Sequence, residues 1–270
     1  MKLYFKLLGR LGNHFYIISA LYYVIRKYNI KSYLLYNSNT FYTNHFNVIN
    51  NIDSISYKNQ YESGIHKDHF DLDLFINENN NDDIICFNNS YFQSNKYFLS
   101  YKNELRSIFS YYTDKTQELI KMINNYNINN ICFISVRRGD YIYYNFYVLS
   151  KNYYIDMYNK YFSGNIIFMS SDDINWCKNN LKTSDFNDCP NIIYIENMNA
   201  SEIYTISTLF KHYICANSTF SSMCELSSYN NDKISIGVNK LSSIYKRKTL
   251  FSNNAIIIDV ESDEYKKYLE

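Results

Sequence analysis

Glycine and proline are nearly missing from this 270-residue chain, which has six of one and one of the other and contains neither a P-loop nor a Gly-x-Ser-x-Gly elbow. A charge imbalance is missing too. Lys and Arg total 27 against 26 Asp and Glu, and a net charge of +1 offers nothing for a polyanion such as nucleic acid to hold. A membrane-spanning run is also lacking: the most apolar early stretch, Phe15 to Ile25, has 11 residues behind the polar loop GRLGNH, too short for a transmembrane segment and unlike a secretory signal. The six cysteines form no C-x-x-C pair, so buried free thiols are expected rather than disulfides or zinc, and with them a reducing, cytoplasmic setting.

What remains is apolar and aromatic. Hydrophobic residues make up 46%, with 31 Tyr and 18 Phe, which excludes a disordered chain; the length suits one large domain or two of about 130 residues. Abundant Asn, Ile, Lys, Tyr and Phe, whose codons are rich in A and T, read as genome drift. In that background the surviving glycines and arginines mark positions that no substitute fills. Three of the six Gly fall in two short segments, as Gly9, Gly12 and Gly139, and two of the six Arg are neighbours, Arg137 and Arg138.

Residues 2–8 read as a strand, followed by a glycine-containing turn and a helix from near His14. Phe15, Ile18, Tyr22 and Ile25 form one stripe of that helix and Ile17, Leu21, Val24 and Tyr28 another, which predicts burial on most faces. Strands are expected at 32–36 and 84–87, a polar loop at 77–83, a helix over 91–123, and an interdomain connection in the asparagine-rich stretch 124–130. Beyond it, short apolar runs at 131–136, 165–170, 191–195, 212–216 and 233–237 alternate with helical patterns at 151–162, 173–181, 200–210 and 219–229. This alternation predicts a parallel sheet with helices on both faces. Asn199 and Glu202 have the spacing of a capping pair. The chain reads as an α/β protein with one domain over 1–128 and a second over 129–270.

Ligands in such folds bind at the carboxyl ends of strands, which singles out three loops. The first, Ser135 to Tyr141, carries Arg137, Arg138, Gly139 and Asp140; its guanidiniums could grip a phosphate, or form a structural Arg–Asp pair. The second, Ser170 to Asp173, could offer a carboxylate of Asp172 or Asp173 to the N1–H and N2–H of guanine, or simply cap the next helix. The third, Ala216 to Ser222, contains Asn217, Ser218, Thr219, Ser221 and Ser222 at a helix start, a diphosphate cradle or again an ordinary cap. Asp71-Leu72-Asp73 has a spacing that metal-dependent transferases use, and equally that of one exposed strand face, the reading preferred here. His66 and His69 with Asp68 read as solvated loop residues.

Together the segments GRLGNH (Gly9–His14), YFQSNKYF (Tyr91–Phe98), SVRRGDY (Ser135–Tyr141), FMSSDDINWCK (Phe168–Lys178) and HYICANSTFSS (His212–Ser222) resemble glycosyltransferase family 11, the α-1,2-fucosyltransferases, in order and spacing. The Arg-Arg-x-Asp core resembles the wider group with the α-1,6- and protein O-fucosyltransferases. The resemblance implies a GT-B-like pair of Rossmann-type domains with parallel sheets flanked by helices, the first on the acceptor side and the second holding the GDP-sugar. It implies that Arg137 meets the β-phosphate of GDP-L-fucose, that Arg138 and Asp140 brace its loop, and that Asp172 or Asp173 faces guanine. Asn217, Ser218, Thr219, Ser221 and Ser222 would line the diphosphate, with Gly12 and Asn13 approaching from the first domain. It departs from the family where Ser135 replaces a His, His14 a Gln, and Ser222 and Met223 two Trp.

The expectation is an inverting fucosyltransferase that uses no metal and no other cofactor, moving L-fucose onto a galactose-containing glycan. His14 is the candidate base, unless it caps its own helix. Transfer of another GDP-linked deoxysugar, or a degenerate GDP- or glycan-binding protein, are the alternatives.

Overall fold

The sequence patterns are realised in a computed structural model that describes residues 1–36, 40–49, 59–61, 71–79, 84–88, 90–243 and 250–270. The chain divides into two compact units, Met1–Phe109 and Ser110–Glu270.

The first unit runs β1 (Lys2–Lys6), α1 (Leu11–Tyr28), β2 (Lys31–Leu35), β3 (Val48–Ile49), β4 (Asn59–Tyr61), α2 (Leu72–Glu78), β5 (Ile84–Phe87), α3 (Asn95–Leu99) and α4 (Lys102–Phe109). Its sheet has the order β3-β2-β1-β5-β4 with every pair parallel. The two apolar stripes of α1 make it deeply buried, with Phe15, Tyr16, Ile17, Ile18 and Leu21 wholly inaccessible. Asn29 ends it in a left-handed conformation at φ 54°, its N–H bonded to the Ile25 carbonyl.

The expected single helix over 91–123 is three. Ser94 caps α3, and after α4 the segment Ser110–Thr113 leaves helical geometry so that Thr113 caps α5 (Asp114–Ile123). These hydroxyls take the orphan N–H groups of a new first turn, which an apolar periodicity continuing across them conceals. Helix α5 groups with the second unit because it packs on α8 (Ala200–Ser207), where Thr113 donates to Glu202 at 2.7 Å. The stretch 124–130, expected as a connection, is the polar turn between α5 and the next strand.

The second unit continues with β6 (Ile131–Val136), α6 (Lys151–Tyr161), β7 (Ile166–Ser171), α7 (Ile174–Asn180), β8 (Ile192–Tyr194), α8, β9 (His212–Cys215), α9 (Thr219–Leu226), β10 (Ile234–Gly237) and β11 (Ile256–Ile257). Its parallel sheet has the order β11-β10-β9-β6-β7-β8, the Rossmann arrangement with β6 as first strand. Alternation along β6 sends Cys132, Ile134 and Val136 into a core with Tyr153, Tyr154, Met157 and Tyr158 of α6. Phe133 faces the other way and stacks on Phe210 at 5.4 Å. Burial of each such large side chain contributes about 1.5–3 kcal/mol. Two of the buried phenols keep that gain by finding acceptors: Tyr153 donates to the Cys215 carbonyl at 2.9 Å and Tyr213 to that of Ser207 at 2.7 Å. Asn199 and Glu202 form the capping box their spacing predicts.

All six thiols are free; five are buried and Cys189 is half-buried. Among the described residues no helix is long and apolar enough to cross a membrane.

Candidate active site

Strand order decides which loops meet. From β6 the chain turns to β7 and β8 on one side, then returns to place β9 on the other, so the loops after β6 and β9 flank the topological switch point, where α/β sheets open a ligand crevice.

Arg137 leaves the end of β6 and is held from two sides. Its Nη2 donates to Asp140, three residues on, and its Nη1 lies 2.8 Å from Asp172 Oδ2 at the end of neighbouring β7. The guanidinium stands over the Tyr141 ring at 5.1 Å, and its Nε has no partner among the described residues. Asp172 also accepts the Arg138 backbone N–H at 2.9 Å through Oδ1, so one carboxylate ties side chain and main chain of the turn together. Gly139 makes that approach possible: a Cβ there would sit 2.3 Å from Asp172 Oδ2.

Arg138 is buried and turns the other way. It lies over Trp176 at 3.9 Å, reaches Glu270 Oε1 with Nη1 at 2.5 Å, and has Asp173 Oδ2 at 3.7 Å from Nε. Asp173 caps α7, accepting from the Trp176 N–H at 3.1 Å. Sequence reasoning missed Trp176 and Glu270. The chain has a single Trp, whose codon runs against the drift, and that signal was available; nothing marked Glu270.

Across the switch point Ser218 caps α9, accepting from the Phe220 N–H at 3.1 Å, and Ser222 donates to the Thr219 carbonyl at 3.0 Å. The Ser221 hydroxyl meets that of Ser135 at 2.8 Å. Asn217 is buried and clasps two loops, donating to the carbonyls of Tyr147 and Lys240 at 3.0 Å each. Arg137, Arg138, Asp140, Asp172, Asp173 and the 217–222 segment thus gather at one end of one sheet.

The first unit has its own switch point, between β1 and β5. There Gln93 donates to Asn13 Oδ1 at 3.2 Å, Gly12 is buried in the first turn of α1, and Gly9, at φ +76°, lies so near Asn13 that a Cβ would meet its Nδ2 at 2.3 Å. His14 does not cap its helix. The N-cap position is Arg10, while the imidazole is buried with Nδ1 at 2.8 Å from the Tyr42 hydroxyl. Burial lowers its pKa to about 4, against a smaller upward pull from a hydrogen bond to the Gly9 backbone.

Asp71 and Asp73 lie on a helix start, not a strand face. Asp71 caps α2, and Asp73 is ringed by Lys96 at 2.7 Å, Lys27 at 3.0 Å and the hydroxyls of Tyr23 and Tyr28. Burial favours its neutral form, but the hydrogen bonds from Lys96, Tyr28, Lys27 and Tyr23 prevail and hold its pKa well below the usual range. His66, Asp68 and His69 lie outside the described residues.

A family model described as Glycosyl transferase family 11 matches residues 83–243, more than half the chain. No curated protein sequence matches. Among solved structures, the glycosyl transferase family 9 protein from Veillonella parvula DSM 2008 aligns over 98% of this chain and 89% of its own at 9% identity with a TM-score of 0.54. A mutant of Arabidopsis thaliana FUT1 in complex with GDP aligns over 96% and 77% at 10% identity with a TM-score of 0.52. At such identity the likeness is one of fold, the GT-B-like class with two parallel sheets flanked by helices.

Proposed function

The chain belongs to glycosyl transferase family 11, and from that premise we propose that it is an inverting, metal-independent fucosyltransferase that moves L-fucose from GDP-β-L-fucose to a galactose-type hydroxyl in α-1,2 linkage. One observation carries the reading: Arg137 is fixed at the Rossmann switch point by Asp140 and Asp172. A guanidinium has five N–H donors, and two carboxylates leave several of them for a phosphate. Cleavage of the sugar–phosphate bond leaves negative charge on the β-phosphate, and a preorganised cation there lowers the barrier without waiting for reorganisation. The same task falls to a divalent ion in metal-dependent transferases.

The remaining roles follow from what is already engaged. Asp172 is committed to the Arg137–Arg138 turn, whereas Asp173 uses Oδ1 for its cap and is more open, which makes Asp173 the better partner for the guanine N1–H and N2–H. Backbone N–H groups at the start of α9, with Thr219 and Ser218 beside them, suit the diphosphate. His14 is neutral at pH 7 and so able to accept the acceptor's proton, although a pKa of about 4 makes it a weak base.

Incubation with GDP-fucose and lactose tests the assignment: the expected product is lactose carrying α-L-fucose on the galactose 2-hydroxyl, identified by NMR. Product formed only from a different GDP-sugar, or a different linkage, contradicts it.

A further inference from the structure

We propose that Ile142, Tyr143 and Tyr144 form an acceptor platform on which a neutral saccharide stacks the apolar face of its ring. The inference rests on the transferase reading above. These side chains are 51%, 84% and 65% exposed, the only three consecutive large hydrophobics so exposed among the described residues. They are held out by an ordered turn. Ile142 N–H bonds to the Arg138 carbonyl at 3.2 Å, those of Tyr143 and Tyr144 to the Asp140 carbonyl at 3.0 and 3.1 Å, and Phe146 N–H to that of Tyr141 at 3.3 Å. Asn145 reverses the chain at φ 55°, and Tyr141, Val148 and Leu241 anchor the turn in a small core.

The position ties the platform to the donor. Asp140 takes Arg137 with its carboxylate and both tyrosine N–H groups with its carbonyl, so a phosphate at Arg137 and a ring on Tyr143 lie on one stretch of seven residues. The chemistry names the occupant. Residues 141–150 carry no charge, which suits a neutral ligand on this surface. Each phenol offers an apolar face and a hydroxyl, and neither hydroxyl bonds to another described residue. A sugar presents the matching pair, a C–H face rimmed by hydroxyls. A protein partner needs about 800 Å² from each side, and three side chains of at most about 250 Å² each fall short of it.

The test is the double variant Tyr143→Ala/Tyr144→Ala, with Tyr143→Phe/Tyr144→Phe as the conservative control. The acceptor KM should rise about tenfold or more in the alanine pair and recover largely in the phenylalanine pair. GDP affinity, donor hydrolysis without acceptor, thermal midpoint and solution mass should not move. An unchanged acceptor KM overturns the proposal, as does a changed solution mass, which would assign the surface to a second copy. Glycan-array binding by GDP-saturated protein separates this inference from the one it rests on. If wild-type protein transfers no fucose yet binds glycans that the alanine pair loses, the platform stands and the donor assignment falls. Equal binding by both proteins, or no glycan bound by the wild type, overturns the platform.

Discussion

Each unit contains a cluster in which carboxylates and cations are packed together, and the two differ in where the topology puts them. In the first unit Asp73 of α2 is closed in by Tyr23, Lys27 and Tyr28 of α1 and Lys96 of α3. In the second, Arg137 is held by Asp140 and Asp172 where β6 and β7 end beside β9. In the first cluster the carboxylate is the captive, and two ammonium groups would oppose a metal ion there. In the second the captive is the cation, with donors left for an incoming anion. Similar residues brace the surface in one place, and under the proposed function bind the donor in the other, because of these two clusters only the second stands at a switch point.

The sharpest way to break this contrast is to remove the second cluster's shared carboxylate. Asp172→Ala frees both Arg137 Nη1 and the Arg138 N–H, and turnover should fall by about 10²-fold as the guanidinium loses its fixed position. A steady-state rate near wild type would show that Arg137 needs no such brace.

Acid should act on both units in the same direction, since burial lowers the pKa of His14 in the first and of His212 in the second, and the value is set for His14. His14 titrates near 6.5 when unfolded and near 4 in the fold, so between those values only the unfolded chain takes up the proton. The contribution to stability is complete above the unfolded value and is lost as pH falls toward the folded one, about 2 kcal/mol by roughly pH 4.5. His14→Gln should flatten that part of the pH–stability curve relative to wild type, and parallel curves would contradict the assignment. The smallest effect is expected from Asp73→Asn: about 1 kcal/mol of stability lost, read from urea midpoints, with turnover per folded molecule unchanged.

The second unit was the more legible half, for a physical reason. Its strands are buried on both faces and read as short continuous apolar runs, and the three candidate loops leave those strands directly, so position alone puts Arg137, Asp172 and Ser218 at or just beyond strand ends. In the first unit the two-residue β3 is too short to leave a period, and the break at Ser94 is hidden in a continuing apolar pattern, as is the one at Thr113 where the second unit begins. Residue type marked Gly139 as special, but not what it avoids; the 2.3 Å approach of Asp172 exists only in three dimensions. The same holds for Glu270, which reaches Arg138 from the far end of the sequence. Asp71 and Asp73 were placed on a strand face because two acids two apart fit it, while Asp71 is in fact a helix cap, a role open to the same residue type.

The most direct test sets wild-type protein beside Arg137→Ala in the same buffer with excess EDTA and follows fucose transfer from GDP-fucose to lactose. Wild-type turnover should be indifferent to the chelator, and the variant should be slower by about 10²-fold or more. Loss of the wild-type rate in EDTA, or a variant that keeps pace, would contradict the claim that this guanidinium takes up the charge of the departing GDP.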